Sequence, residues 1–382
     1  MRIFHVHHSY HPAVGGMERV IKRVAEEQAK LGHEVHVITS YGTAINRPAE
    51  EELNNVYVHR IKALRLYYPD LTIPKDLKES LLKEADVVHV HSQNSLFNMI
   101  IAKRAKSLGV KVAVHFMAVD AFRDHPNTLI RIFGPIYSEW TVREALRIAD
   151  LKLVKSFRDM MILRDRFKVK ADDLHYVPDG VDEELLTMPS LESEFRRRYN
   201  LNDDIVLFIG RLHPLKGIEV LLKAIPYVIK EKRNVEFVFI GPGDSKRYIR
   251  FACKLDISDR VIFLGFVDEH TKIGAIDSSV CLVLPSICDY VEVYSLVISE
   301  AWARGKPVVA SSVGEIPYRV KHMTNGILVP PRDPKSIAEA ILKLLEDRTL
   351  AEKMGLEGKK KLKMWNEVAY TLVNFYKKGL AL

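Results

Sequence analysis

One local order, strand then loop then helix then strand, occurs twice in this 382-residue chain, about 200 residues apart. The first copy opens the sequence. Arg2–His7 is a short β-type run, and Ser9–Gly16 holds Pro12 and the pair Gly15-Gly16, a turn signal. From Glu18 to Leu31, Val20, Ile21, Val24, Ala25 and Ala29 recur at helical spacing; Gly32 ends the helix and Glu34–Thr39 is the next strand. The second copy runs through strand Asp204–Gly210, loop Arg211–Gly217, helix Ile218–Lys230 and strand Val235–Ile240. Parallel strands must be joined by a crossover, so each copy implies a parallel sheet with helices on both faces. Further apolar runs such as Asp86–His91, Val110–His115, Val280–Leu284 and Pro307–Ser311 lack polar alternation, as buried parallel strands do.

Two such units fit the length, since a single core rarely serves 382 residues. The expected division is 1–190 and 191–361, with a polar, basic linker near 185–200 that includes Arg196-Arg197-Arg198. Three cysteines, Cys253, Cys281 and Cys288, are too few for a disulfide framework and form no C-x-x-C pair. They read as small buried residues in a reducing cytoplasm. No apolar stretch approaches the ~20 residues of a membrane span, and the start, MRIFHVHHSY, alternates like a strand rather than a leader. Lys plus Arg exceed Asp plus Glu by 8, which favours an anionic partner: nucleic acid, nucleotide phosphate or a lipid surface.

In open α/β sheets ligands sit beyond the carboxyl ends of strands. After strand Val280–Leu284 come a loop with Asp289 and Glu292 and a helix that starts near Ser295 and contains Glu300. Free N–H groups at that helix start can hold a phosphate, and the two carboxylates can accept hydrogen bonds from hydroxyls. A ligand with both, such as a sugar nucleotide, fits. The alternative is two solvent-facing carboxylates stabilised by the helix dipole.

The segment Glu292-Val-Tyr-Ser-Leu-Val-Ile-Ser-Glu300-Ala resembles the Glu-x7-Glu motif of family 4 retaining glycosyltransferases of the GT-B fold. Flanking pieces are similar too: Pro285-Ser286, Gly305–Ala310 and Gly326–Pro330, Gly210-Arg211-Leu212 with Lys216-Gly217, Val177–Asp182, and Gly15–Glu18. The resemblance spans nearly the whole chain. It implies an α/β architecture of two Rossmann-like doubly wound domains facing across a cleft, with a last helix of about 362–382 crossing back to the first domain. It implies a metal-independent hexosyltransferase that takes a UDP- or GDP-sugar and hands the sugar to a glycan, lipid-linked or small-molecule acceptor. Arg211 and Lys216 would neutralise the donor diphosphate, aided by Gly15, Gly16 and the helix start at Ser295, Leu296 and Val297. Glu300 would bind ribose and Glu292 the donor sugar. His115, at the end of its strand, and Asp120 would lie near the reaction centre. No cofactor is implied, and the metal-binding Asp-x-Asp of another glycosyltransferase fold is absent from the sequence.

The chain departs from the family pattern at Ser295, where glycine is usual, and at Glu315 and Tyr318, where the family has glycine and an acid. These changes bear on the sugar pocket. Gly241-Pro-Gly243 lacks the third glycine of a dinucleotide fingerprint, and there is no P-loop. Arg60–Lys75 and Ala121–Trp140 mix aromatics, aliphatics and cations. They read either as an acceptor groove with a membrane-facing patch, which would make the enzyme peripheral at the inner membrane face, or as amphipathic helices covering a sheet. A sugar-nucleotide epimerase of the same architecture and an inactive binding protein are the rival functions; nucleic acid is the least supported anion.

Overall fold

The computed structural model describes residues 1–13, 15–42, 46–66, 71–123 and 125–380. Of the acceptor-side segments, Tyr67–Asp70 and Asp124 therefore lie outside the described residues. The chain forms two compact units, Met1–Gly180 with Lys363–Leu382, and Val181–Leu362.

The first unit holds an eight-stranded sheet. Its strands are β1 (Arg2–Val6), β2 (Glu34–Ser40), β3 (Glu50–Leu53), β4 (Val56–Ile61), β7 (Val87–His91), β8 (Lys111–Phe116), β9 (Leu151–Val154) and β10 (Leu174–Tyr176). A separate antiparallel pair is formed by β5 (Ala63–Arg65) and β6 (Thr72–Pro74). The sheet order is β10-β9-β8-β7-β1-β2-β4-β3, parallel except at the β3–β4 edge. The sequence reading missed β3, whose Glu50-Glu51-Glu52 is poor strand composition. Arg60 of β4, its guanidinium buried, pairs with Glu51 across that edge, and the remaining charges discourage a further strand. The helix Gly16–Lys30 buries Val20, Ile21, Val24 and Ala25, the face its spacing predicts. Against it packs the helix Trp365–Gly379, which buries Trp365, Val368, Leu372 and Tyr376. Gly180 touches the start of that helix: a Cβ there would lie 2.7 Å from the Trp365 nitrogen.

The second unit holds a six-stranded parallel sheet in the order β13-β12-β11-β14-β15-β16. These are β11 (Asp204–Ile209), β12 (Val235–Ile240), β13 (Val261–Gly265), β14 (Ser279–Leu284), β15 (Val308–Ser311) and β16 (Gly326–Val329). Helices Ile218–Glu231 and Pro334–Glu346 cover one face through Leu222, Ile225, Ile341 and Leu344. Ala275, Ile276, Ile298 and Trp302 cover the other.

Two expectations are corrected. Residues 185–200 are not a linker; they carry helices Glu184–Thr187 and Glu192–Tyr199 of the second unit, and the chain passes between units at Gly180–Val181. The charges there belong to an exposed helix face, with Glu192 and Arg196 paired at 2.8 Å, while Phe195 is buried. Arg304 anchors the segment, donating to the carbonyls of Leu185, Met188 and Pro189 and to the buried Asp277 carboxylate at 2.6 Å. Cys253 is exposed, while Cys281 and Cys288 are buried.

Lys155 and Asp179 form an ion pair at 2.6 Å, with side chains only 3% and 6% exposed. Breaking such a pair leaves one buried charge uncompensated. Lys155→Met is expected to destabilise the first unit by about 3–5 kcal/mol in denaturant unfolding. Lys155→Met combined with Asp179→Leu should recover most of that loss; a double variant as unstable as the single one would refute the pairing argument.

Candidate active site

In the second unit the strand order reverses between β11 and β14, so connections leave these neighbours in opposite directions and free the carboxyl ends of both. The loops that follow them converge. Gly217 ends the β11 loop at φ +70°, and a Cβ there would lie 1.8 Å from the Pro285 carbonyl oxygen. The Ile287 N–H, from the β14 loop, donates to the Leu215 carbonyl at 3.0 Å. Only glycine allows this approach in this conformation. It delivers Lys216 to Glu292, with Nζ donating to Oε1 at 2.6 Å.

Glu292 is 1% exposed. Besides Lys216, the hydroxyls of Ser286 and Ser295 donate to its two oxygens. A carboxylate buried to this degree persists as an anion only when so compensated. The helix Leu296–Ala303 starts one residue after Ser295, which sits at φ +59°, in the left-handed region that favours glycine. This accounts for the family's glycine. The Ser295 hydroxyl makes no helix cap; it turns back to Glu292. Leu296 and Val297 occupy the first helical positions, where amides lack partners within the helix.

A third loop braces this turn. Gly314, at φ +58°, donates its N–H to Asp289 at 2.9 Å, and the Glu315 N–H donates to the Glu292 carbonyl at 2.8 Å. Arg319 bonds the carbonyls of Tyr294 and Ser295 and the Ser299 hydroxyl, and lies 3.7 Å over the Tyr294 ring. Of the two departures in this loop, Glu315 is buried while Tyr318 is half-exposed. Glu300, 4% exposed, receives Lys272 Nζ at 2.9 Å. Arg211 is exposed and has no ion pair among the described residues.

The structure thus joins Lys216, Ser295, Glu292 and the helix start directly, with Glu300 further along the same helix. The sequence reading quoted Ser286 only as a flanking motif residue without a role, and it missed Lys272 and Arg319. Lys272 is 28 residues from Glu300 and Arg319 24 from Ser295. Only the sheet order brings them together, and no local pattern marks them.

In the first unit, Gly15 caps the helix Gly16–Lys30 with extended backbone, φ −172°, so no conformational need for glycine arises there. A Cβ would instead meet the Glu18 carboxylate. His115 is not at a strand end: β8 continues to Phe116, and the ring is 3% exposed. Burial and the nearby Lys155 ammonium push its pKa well down, partly opposed by the Val177 backbone. Asp120 is held by Arg158 in a bidentate pair, at 2.7 and 2.5 Å. Burial would raise its pKa, but Arg158 outweighs this and holds it below the ordinary carboxylate range. The intervening loop is fixed by groups the sequence did not single out. Gln93 bonds both the N–H and the carbonyl of Met117, Asn94 donates to the Met117 and Ala118 carbonyls, and Asp159 accepts the Ala118 and Val119 amides.

Comparison with known proteins shows the family and the fold. Residues 191–361 match Glycosyl transferases group 1, and residues 14–185 match Glycosyltransferase Family 4. An uncharacterized glycosyltransferase of Methanocaldococcus jannaschii is 30% identical, covering 99% of this chain and 98% of its own length. Among solved structures, sucrose-phosphate synthase from Thermosynechococcus elongatus superposes with a TM-score of 0.79 at 24% identity, covering 100% of this chain and 99% of that one. The Anabaena protein HepE, in complex with UDP and glucose, gives 0.77 at 18% identity, covering 98% and 99%. The fold is GT-B, with two Rossmann-like domains.

Gly217→Ala tests the convergence of the two loops. Strain at positive φ adds to the clash with the Pro285 carbonyl, so the variant is expected to lose about 3 kcal/mol of stability and most nucleoside diphosphate affinity, read by calorimetry. Unchanged binding would show that Lys216 does not need this approach.

Proposed function

The chain belongs to the glycosyltransferases of group 1 and family 4, and on that premise we propose that it moves a hexosyl unit from a UDP- or GDP-sugar to an acceptor with retention of configuration. The observation that carries this reading is the Lys216–Glu292 pair at 2.6 Å beside the start of helix Leu296–Ala303. Lys216, released from Glu292 by the donor, and Arg211 would neutralise the diphosphate, with the Leu296 and Val297 amides taking its distal oxygens. Glu292 would then accept sugar hydroxyls, and Glu300 the ribose hydroxyls beside Lys272. The leaving diphosphate gains charge as the glycosidic bond breaks, and fixed cations and dipoles at that point lower the barrier. Two cations and a helix start supply this charge without a divalent ion. HepE, with UDP and glucose bound, supports the donor class. In the first unit Asp120 and the Met117–Val119 backbone are the proposed acceptor-side groups. His115, one residue before the end of β8, is proposed to lie near the reaction centre with them.

The acceptor is proposed to be lipid-linked, and the enzyme to work in the cytoplasm at a membrane surface. Among the described residues no helix is long and apolar enough to cross a membrane. Yet helix Thr128–Ile148 exposes Leu129, Ile132, Phe133, Ile136 and Trp140 along one side. Its other side, with Ser138, Thr141, Val142 and Ala145, is buried. Thr128–Ser138 carries one charged residue, Arg131. An apolar stripe with a cation suits an interfacial helix.

Incubation with a panel of UDP- and GDP-sugars is expected to release free nucleoside diphosphate with one donor. Glu292→Gln and Lys216→Ala should each lower kcat/KM by about 10²-fold or more. Glu300→Gln should raise the donor KM about 10-fold with a smaller effect on kcat. Isomerised donor in place of diphosphate would indicate an epimerase, and neither product an inactive binding protein. For the membrane, the chain should float with anionic vesicles at low salt, and Phe133→Asp with Ile136→Asp should abolish this; wild-type protein that stays at the bottom of the gradient removes the membrane from the proposal.

A further inference from the structure

Four histidines line one face of the first sheet. His5 lies on β1, His89 and His91 on β7, and His115 on β8. His5 pairs in register with His89, and His91 with His115, so the period-two pleat points all four the same way. None is more than 3% exposed. The His89 and His91 rings stack with centroids 4.2 Å apart, and His115 stacks on His89 at 5.5 Å. Two side chains meet this layer from the helices above. Gln28 Oε1 lies 2.7 Å from His5 Nε2, and Tyr376 Oη lies 2.6 Å from His89 Nδ1.

The hydrogen-bond accounting does not close. All four rings are buried, and the side chains that bond them among the described residues are neutral, so each imidazole is neutral and carries one N–H. Gln28 Oε1 only accepts, which places the His5 proton on Nε2. His5 Nδ1 is then an acceptor, and His91 Nε2, 2.9 Å away, must donate to it. That leaves His91 Nδ1 a bare acceptor with no partner, and His89 Nε2 has none either. Buried polar atoms without partners are uncommon, and an ion or water explains them. Lys155 is the cation whose field reaches the layer, and Asp179 neutralises it at 2.6 Å.

We propose that His5, His89 and His91 form a structural site for a divalent transition metal of the zinc type, with one nitrogen from each ring as ligand. The three ligand atoms lie within 4.8 Å of one another. Neutral imidazole is the preferred donor for zinc, copper, nickel and cobalt. His5 Nδ1 offers its lone pair once His91 shifts its proton to Nδ1 and offers Nε2. His89 Nε2 completes the set when its proton sits on Nδ1 and is given to Tyr376. Gln28 and Tyr376 would then hold the outer nitrogens of His5 and His89, as partners behind metal-bound histidines do. Tyr376 belongs to the last helix, so the site is complete only when the chain's end has docked on the first sheet. Metal binding would thereby tie that helix to β1 and β7. The site is separate from the Arg211–Gly217 loop and the helix start at Ser295, which belong to the other unit, and stands or falls separately from the transferase reading.

The full-length chain, refolded with Co(II) or Zn(II) and passed over a desalting column, tests this. About one Co(II) per chain should remain, with a visible absorption band that the metal-stripped protein lacks. Zn(II) should raise Tm by roughly 3–6 °C over the metal-stripped protein. Tyr376→Phe, which keeps the ring, should weaken metal affinity about 10–100-fold. His89→Gln and His91→Gln should abolish it, whereas His270→Gln, at an exposed histidine, should not. Wild-type protein that keeps no Co(II) and shows the same Tm with and without Zn(II) overturns the proposal, whether or not the variants fold. So does retention that survives both His89→Gln and His91→Gln in folded protein.

Discussion

A parallel sheet that grows in both directions from a central pair of strands cannot cover the carboxyl ends of that pair, because the crossovers leave them on opposite sides. Everything chemical in the second unit follows from this constraint. The pair is β11 and β14, whose neighbours on the two sides are β12 and β15. The loops leaving the carboxyl ends of the pair can therefore approach each other to backbone contact at Gly217 and Pro285. That contact places a cation from one loop on a carboxylate from the other. The first unit reverses its order between β1 and β7 in the same way, and there the Gly15-Gly16 and Ser92–Ser95 loops follow the pair.

The second determinant is charge compensation. Glu292, Glu300 and Asp179 are nearly fully buried, and each has a lysine within 3 Å. Without those lysines the carboxylates would be too costly to bury as anions. On the proposed reading a polyhydroxylated anion would take Lys216 from Glu292 and leave that carboxylate to accept hydroxyls, so that binding would exchange one ionic contact for another instead of creating buried charge. The side chains of the Lys155–Asp179 pair are the most buried of the lysine pairs.

What the sequence revealed and what it hid divide along one physical line. Features encoded within about ten residues were legible: the amphipathic helix Gly16–Lys30, the apolar parallel strands, the Glu292–Glu300 spacing and the loop from Arg211 to Gly217. The family resemblance carried the rest of the fold assignment. Contacts made by strand order were not legible: Lys272 on Glu300, Arg319 on the turn at Ser295, Gln93 and Asp159 on the loop after β8. Polarity also misled. Glu50–Glu52 was passed over and Arg196–Arg198 read as linker, because a strand edge and a helix face in contact with water carry the same residues a linker does.

The histidines show the limit of reading residue types one at a time. Fifteen histidines made any one of them an unremarkable strand neighbour, and only His115 was chosen, for its place at a strand end where the family resemblance implies a histidine. The register of three adjacent strands instead aligns four of them on one face, where an apolar residue would pack with less difficulty. Each neutral ring brings one donor and one acceptor into a layer whose helices offer, at Gln28 and Tyr376, two contacts. Four rings therefore need eight partners where the sheet face supplies few. Such a layer costs more to bury than an apolar one, and the proposed metal ion would use three of its nitrogen lone pairs.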